Sequence, residues 1–209
     1  MRVETFLEAS ATRLPHKTAL IAGGRRITFA ELDVESSRLA AGLVALGFER
    51  GDRAVIFMDN AWEAVVSIFG VLKAGGVFSP VNASTKADKL AFILGNCRAS
   101  AVLTQSRLAA VAREAVAGSP SVRLTVVANS GGASERSHGW QRFEDLIGGA
   151  HGARPARATG IEADLAMLIY TSGSTGFPKG VMMTHQNVEA ASRSITTYLE
   201  NTADDVILN

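Results

Sequence analysis

From Arg53 to Ala128 the chain alternates short apolar runs with longer amphipathic ones, and that rhythm limits the folds open to it. Arg53–Met58, Val77–Ser79, Ser100–Thr104 and Arg123–Ala128 each read as a strand. Between them, Ala61–Ala74, Lys86–Asn96 and Ser106–Ala117 read as helices. Leu90, Ile93, Leu94 and Cys97 share one helix face, as do Leu108, Val111, Ala115 and Val116. Strand–helix alternation at this spacing predicts an α/β fold: a parallel sheet with helices on both faces.

The segment before it is built differently. Val3–Leu14 reads as an amphipathic helix stopped by Pro15, and Thr18–Ala22, Gly23-Gly24 and Arg25–Thr28 as a β-hairpin. Thr28 and Glu31 have capping-box spacing, so a helix should start there, with Leu32, Leu39, Leu43 and Leu46 as its apolar stripe and Gly47 as its end. Residues 1–50 thus form an opening helix and hairpin segment, and 51–209 the sheet region. The stretch 129–160, rich in Gly, Ser, Ala and Arg, interrupts the rhythm and reads as a surface excursion with a short helix at Gln141–Ile147.

After this, Leu165–Tyr170 is an unbroken apolar run that reads as a strand buried on both faces. Tyr170-Thr171-Ser172-Gly173-Ser174-Thr175-Gly176-Phe177-Pro178-Lys179-Gly180 follows. Its glycines let backbone N–H groups approach a ligand closely. The hydroxyls of Thr171, Ser172, Ser174 and Thr175 can donate to phosphate oxygens, and Lys179 adds a mobile positive charge behind the stiffening Pro178. That is the chemistry of a polyphosphate cradle, with Thr171, Ser172, Gly173, Ser174, Thr175, Gly176 and Lys179 as its candidate binding residues. A flexible Gly/Ser linker would need neither the strand before it nor the Pro-Lys-Gly end. The common phosphate loop has a second glycine where Pro178 stands and a Ser or Thr where Gly180 stands, so a P-loop NTPase does not fit. Beyond the loop, Val181–Met183 is a short apolar run. Thr184 can cap a helix with Val188, Ala191, Ile195 and Leu199 inward, and Asp205–Asn209 reads as the start of another strand.

Bulk properties exclude more than they select. The 209 residues carry a net charge of +1, with 47% apolar and 20% charged residues, and offer no electrostatic footprint for nucleic acid. Glu4 and Glu8 interrupt the N-terminal apolar residues, unlike a signal peptide, and no apolar run is long enough to span a bilayer. Cys97 stands alone, which excludes a disulfide framework and is compatible with a reducing, cytoplasmic setting. It reads as an inert small hydrophobe, and Trp62 and Phe69 as core. His185 either approaches a nucleotide or merely fills the first helical turn after Thr184. Asp204 and Asp205 read as solvated, with no further ligands for a metal site.

Tyr170–Val181 resembles the signature loop of the AMP-forming adenylating enzymes, which include acyl-CoA synthetases, aryl-CoA ligases, luciferases and the adenylation domains of peptide synthetases. The resemblance extends along the chain: Thr28-Phe29-Ala30-Glu31-Leu32, Gly51-Asp52-Arg53-Ala54-Val55 and Leu72-Lys73-Ala74-Gly75-Gly76-Val77-Phe78 each look like segments of that family. Ser79-Pro80-Val81-Asn82 leans toward stand-alone acid–CoA ligases, since amino-acid-adenylating relatives usually carry Asp where Asn82 stands. Ala83 departs from the proline common after it.

The resemblance implies part of the large N-terminal domain of an adenylate-forming ligase. It implies ATP, Mg²⁺ and coenzyme A as cofactors and a small-molecule carboxylic acid as substrate, as in fatty acid metabolism. The family's ribose-binding aspartate and the catalytic lysine of its C-terminal domain have no match here, so no catalytic residue is assigned. The expectation is a truncated chain, inactive alone and prone to self-association. An amino-acid adenylation domain of a peptide synthetase, and a short non-catalytic nucleotide- or partner-binding protein of the same fold, remain alternatives.

Overall fold

The local signals at the start of the chain all operate. Helix α1 (Glu4–Arg13) is followed by strands β1 (Thr18–Ala22) and β2 (Arg25–Thr28). Gly23 and Gly24 join them at φ of +57° and +78°, the left-handed region that a tight hairpin turn requires. At Thr28 the capping box forms in full: the Glu31 N–H donates to Thr28 Oγ1 at 3.2 Å, and the Thr28 N–H donates to Glu31 Oε2 at 2.8 Å. Helix α2 (Phe29–Ala45) starts there and buries Leu32, Leu39 and Leu43. Leu46 is 41% exposed instead, because the helix has ended at Ala45 and Gly47 turns the chain away.

The computed structural model describes residues 1–129, 139–149, 160–171 and 178–208. Ser172, Gly173, Ser174, Thr175 and Gly176 lie outside the described residues. Strands β3 (Arg53–Met58), β4 (Val77–Asn82), β5 (Ala101–Gln105) and β6 (Leu124–Ala128) alternate with helices α3 (Trp62–Lys73), α4 (Ala87–Asn96) and α5 (Ala109–Ala117). Then come β7 (Gln141–Arg142), α6 (Phe143–Gly148), β8 (Leu165–Thr171), β9 (Lys179–Thr184) and α7 (His185–Tyr198). The main sheet has seven strands in the order β7-β6-β5-β3-β4-β8-β9. The first six run parallel and β9 runs antiparallel to β8.

Two apolar layers cover this sheet. Ala54, Ile56, Ala101, Leu103 and Val126 face α2, α3 and α6, while Val55, Phe57, Val102 and Val127 face α4 and α5. Successive residues thus bury on opposite faces, as a parallel strand between helical layers must. Lys73 ties α3 to α2: its buried ammonium donates to Asp33 O at 2.8 Å, Asp33 Oδ1 at 2.6 Å and Ser37 Oγ at 2.9 Å. Strand β4 runs past Ser79, where Pro80 would be expected to stop it. The register to β3 continues through Ile56↔Pro80 to Met58↔Asn82, and the bridge to β8 falls earlier, at Phe78↔Met167. There the buried Ser79 hydroxyl donates to the Leu168 carbonyl at 2.9 Å.

Four further expectations change. The stretch around Gln141–Ile147 is no surface excursion: β7 pairs with β6, and Phe143, Leu146 and Trp140 are buried. Phe143 meets Trp62 edge to face at 5.7 Å, and Leu146 packs where Gly42 leaves α2 bare. Strand β8 is only half buried, through Ala166 and Leu168, because β9 closes the sheet edge with Val181 and Met182 exposed. In α7 only His185 is buried; Ala191, Ile195 and Leu199 are exposed, since the helix leaves the sheet after its first turn. Residues 205–208 form no strand; the Thr202 N–H donates to Asp205 Oδ2 at 2.6 Å to close a turn there instead.

The inclusion of α6 in the core is testable. Phe143→Ala should cost about 3–5 kcal/mol in urea unfolding, the usual loss for a fully buried Phe. A loss below about 1 kcal/mol would return this segment to the periphery.

Candidate functional site

The candidate residues that are described, Thr171 and Lys179, stand at the neck of a β-hairpin. Strands β8 and β9 pair in the register Ile169↔Val181, Tyr170↔Gly180, Thr171↔Lys179. Thr171 is the last residue of β8 and Lys179 the first of β9, so the two ends of the intervening segment leave the sheet side by side. Both side chains are exposed, and Lys179 makes no ion pair among the described residues. A hydroxyl and an ammonium facing solvent from opposed backbone positions suit a phosphate group. The hairpin was not legible in the sequence, because its connection lacks the two-residue Gly turn that marks short hairpins.

The neck lies at the carboxyl end of the parallel sheet, the end where α/β sheets hold ligands. Counting on from Phe78↔Met167 along the parallel pair brings Asn82 level with Thr171. A shallow cleft of about 460 Å³ opens at this end of β4, lined by Asn82, Ser84, Thr85, Lys86, Asp88 and Lys89. Asn82 Oδ1 accepts from the Ser84 N–H at 2.8 Å and from Ser84 Oγ at 2.7 Å, so its side chain is engaged in shaping the turn after β4. An aspartate would accept the same two bonds. The topological switch point, between β3 and β5, is filled by protein groups. There the Asp59 N–H donates to Gln105 Oε1 at 3.0 Å, and Arg107 pairs with the Asp59 carboxylate.

His185 resolves toward the structural reading. It is buried, and its Nδ1 accepts from the Val3 N–H at 3.1 Å, tying α7 to the chain ahead of α1. Burial pushes its pKa down, helped by Arg2 and the α-amino group, while Asp164 works the other way. Glu4 Oε2 lies 3.7 Å from the same nitrogen, and burial pushes the Glu4 carboxyl up. Burial likewise raises the Cys97 thiol, which makes it a poor nucleophile. Trp62 is half-buried beneath the Arg25 guanidinium, 4.2 Å from the ring centre, and Phe69 packs on the core. Among the described residues no group of three or more His, Cys, Asp or Glu side chains could hold a metal ion, and no helix is long and apolar enough to cross a membrane.

A mostly parallel sheet between two helical layers, with a polar hairpin neck at its carboxyl end, is the frame of an adenylate-forming ligase, and the comparisons agree. The chain belongs to the AMP-binding enzyme family, whose profile matches residues 7–209. It is 34% identical over 204 residues to bacitracin synthase 1 of Bacillus licheniformis, covering 97% of this chain and 3% of that one. It is 30% identical over 190 residues to a medium/long-chain-fatty-acid–CoA/3-oxocholest-4-en-26-oate–CoA ligase of Mycobacterium tuberculosis, covering 90% of this chain and 34% of that one. The apo structure of MbtA from Mycobacterium smegmatis superposes with a TM-score of 0.89 at 29% identity, over 98% of this chain and 38% of that one. The chain therefore spans about a third of the ligase's length.

The buried imidazole carries a pH prediction. Because the folded pKa of His185 lies below its ordinary 6.5, the unfolded chain takes up the proton first. The stability this contributes is complete above 6.5 and falls as pH drops through that value. Glu4 acts in the opposite sense: its raised pKa gives a contribution complete below 4.5 and lost as pH rises through the folded value. The His185 contribution should therefore lower the urea midpoint between about pH 7.5 and pH 5.5, and His185→Gln should remove that part of the pH dependence. An unchanged slope in the variant would assign the acid loss to other groups.

Proposed function

We propose that this chain forms the phosphate-binding part of an AMP-forming acid–thiol ligase, with coenzyme A as the thiol acceptor. The observation that carries the reading is the β8–β9 neck, which sets Thr171 and Lys179 opposite each other at the carboxyl end of the sheet in a chain of the AMP-binding enzyme family. In the first half-reaction a carboxylate oxygen attacks the α-phosphate of ATP, giving an acyl-adenylate and pyrophosphate. In the second, the thiol sulfur attacks the acyl carbon and AMP leaves. Negative charge grows on the departing pyrophosphate, where the Lys179 ammonium, the hydroxyls of Thr171, Ser172, Ser174 and Thr175, and the N–H groups of Gly173 and Gly176 would stabilise it. They also hold the polyphosphate in line with the attacking oxygen. Mg²⁺ would arrive with the nucleotide and neutralise phosphate charge.

The acid–CoA assignment follows the Asn82 lean and the mycobacterial ligase. The 34% identity to bacitracin synthase 1 favours the second reading, adenylation of an amino acid. Carboxylate-dependent ATP–pyrophosphate exchange with fatty, aromatic and amino acids, run on a ligase that contains this chain, separates the two. Both place the reaction in the cytoplasm, where ATP and thiol acceptors occur together. The 209 residues alone should support no exchange, since phosphate contacts cannot orient adenine, ribose and carboxylate together. The exposed Val181, Met182, Ile195 and Leu199 should promote self-association, visible by light scattering.

In such a ligase, Lys179→Ala should slow ATP–pyrophosphate exchange by roughly 2–4 kcal/mol, the cost of losing one charge-stabilising donor. Thioester formation from supplied acyl-adenylate should change little, because no pyrophosphate leaves in that step. Equal losses in both would mean that Lys179 acts on structure and not on the leaving group.

A further inference from the structure

Tyr170, beside the neck, reaches away from it to α4. Its hydroxyl donates to Asn96 Oδ1 at 2.6 Å, at the end of α4, and lies beside Cys97. Burial pushes its pKa up, so it stays a protonated donor. Its ring covers Gly180, its partner across the strands. A Cβ on Gly180 would come within 3.1 Å of Tyr170 Cζ and 3.3 Å of Cε1, so the ring occupies the space a side chain would need. An aromatic laid over a cross-strand glycine restores packing that the glycine lacks. This matters because, among the described residues, β9 pairs with β8 alone and its first four residues are exposed. The next pair outward is Thr171↔Lys179.

We propose that Tyr170 is a positioning residue: clamped between Asn96 and Gly180, it fixes where Thr171 and Lys179 leave the sheet. Its relevance to phosphate rests on the function proposed above; the clamp itself does not. The hydroxyl sets the ring against α4, the ring sets Gly180, and Gly180 sets the backbone of Lys179. Glycine at 180 is then required by the ring and not by its own backbone conformation, since it is absent from the left-handed residues.

Hydrogen exchange on a ligase that contains this chain tests this, with peptides from the β8–β9 neck read against β3 and β5 as an internal control of folding. Tyr170→Leu should speed neck exchange by about fivefold, the upper range for one cross-strand pair, and leave β3 and β5 unchanged. Tyr170→Phe, which keeps the ring, should recover most of the protection. Asn96→Ala, a change at an exposed position, removes the acceptor of the Tyr170 hydroxyl and should loosen the neck by about twofold whether or not Tyr170→Leu disturbs the sheet; an unchanged neck would overturn the tie to α4. Gly180→Ala should loosen the neck in the native background and add little in the Tyr170→Leu background, where nothing remains to collide with. Unchanged neck exchange in Tyr170→Leu, or an equal effect of Gly180→Ala in both backgrounds, overturns the clamp. Inorganic tripolyphosphate provides the second arm. Protection of the native neck, lost in Tyr170→Leu, supports positioning, and equal protection of both chains overturns it. No protection of the native chain, with the variants otherwise as expected, counts against the phosphate reading and leaves the clamp standing.

Discussion

Burial of β3 and β5 on both faces is the constraint from which the rest of this architecture follows. Ala54, Val55, Ile56 and Phe57 are at most 3% exposed, as are Ala101, Val102 and Leu103. Such strands have no face to offer water, so each needs a helical layer above and below and a strand on either side to satisfy its backbone. The crossovers supply those layers in chain order: α3 to one face, α4 and α5 to the other. The opening segment then contributes α2 to the layer that α3 alone could not complete, and the Lys73–Asp33 contact fixes the two helices together. A buried ammonium is tolerated there because its donors meet a carboxylate, a carbonyl and a hydroxyl.

The other end of the sheet obeys a different rule. Beyond β4, apolar layers thin out, and individual polar ties hold β8, β9 and α7. Ser79 bridges to Leu168, Val3 to His185, Arg50 to Asp164 at 2.6 Å, and Tyr170 to Asn96. A few directional bonds specify position without the cooperative stability of a packed core. This division suits a polyphosphate site, since the frame persists while the neck can adjust to a ligand. It also means that substitutions in the frame should act on stability, while those at the neck should act on how the loop ends are presented.

The legible and illegible parts of the sequence divide along the same line. Strands β3, β5 and β6 and helices α3 to α5 were readable because their apolar period is local and both faces are buried. The capping box at Thr28 was readable because its donors and acceptors lie within four residues. The short helix at Gln141–Ile147 was read from the sequence, but its place in the core was missed, because that depends on Phe143 meeting Trp62, a contact that no local pattern announces. The stripe of α7 was read correctly as amphipathic and wrongly as inward, since periodicity shows that a face is apolar but not that anything covers it. At the site, the residue types around Thr171 and Lys179 pointed to phosphate, whereas their opposition across an antiparallel pair needed coordinates. Tyr170 escaped notice for the same reason: its partners, Asn96 and Gly180, lie on two other elements.

The placement of the neck itself has a physical reason. An open parallel sheet presents a crevice where its connections diverge, here between β3 and β5, and that crevice would be the default ligand site. In this chain Gln105 and the Arg107–Asp59 pair stand there, bonded to each other's strand ends. The carboxyl end of β6 is engaged as well, since the Asn129 N–H donates to Glu144 Oε1 at 2.7 Å and its side-chain amide to Glu63 Oε1 at 2.8 Å. Strand β4 closes on itself through the Asn82–Ser84 turn, consuming the Asn82 acceptor. At the neck, by contrast, Thr171 ends β8 and Lys179 begins β9, both exposed and without a side-chain partner among the described residues. The same turn bears on substrate choice. Since aspartate at position 82 would cap it equally well, the turn itself does not distinguish the two residue types, and selection of an acid would have to come from groups that face the carboxylate.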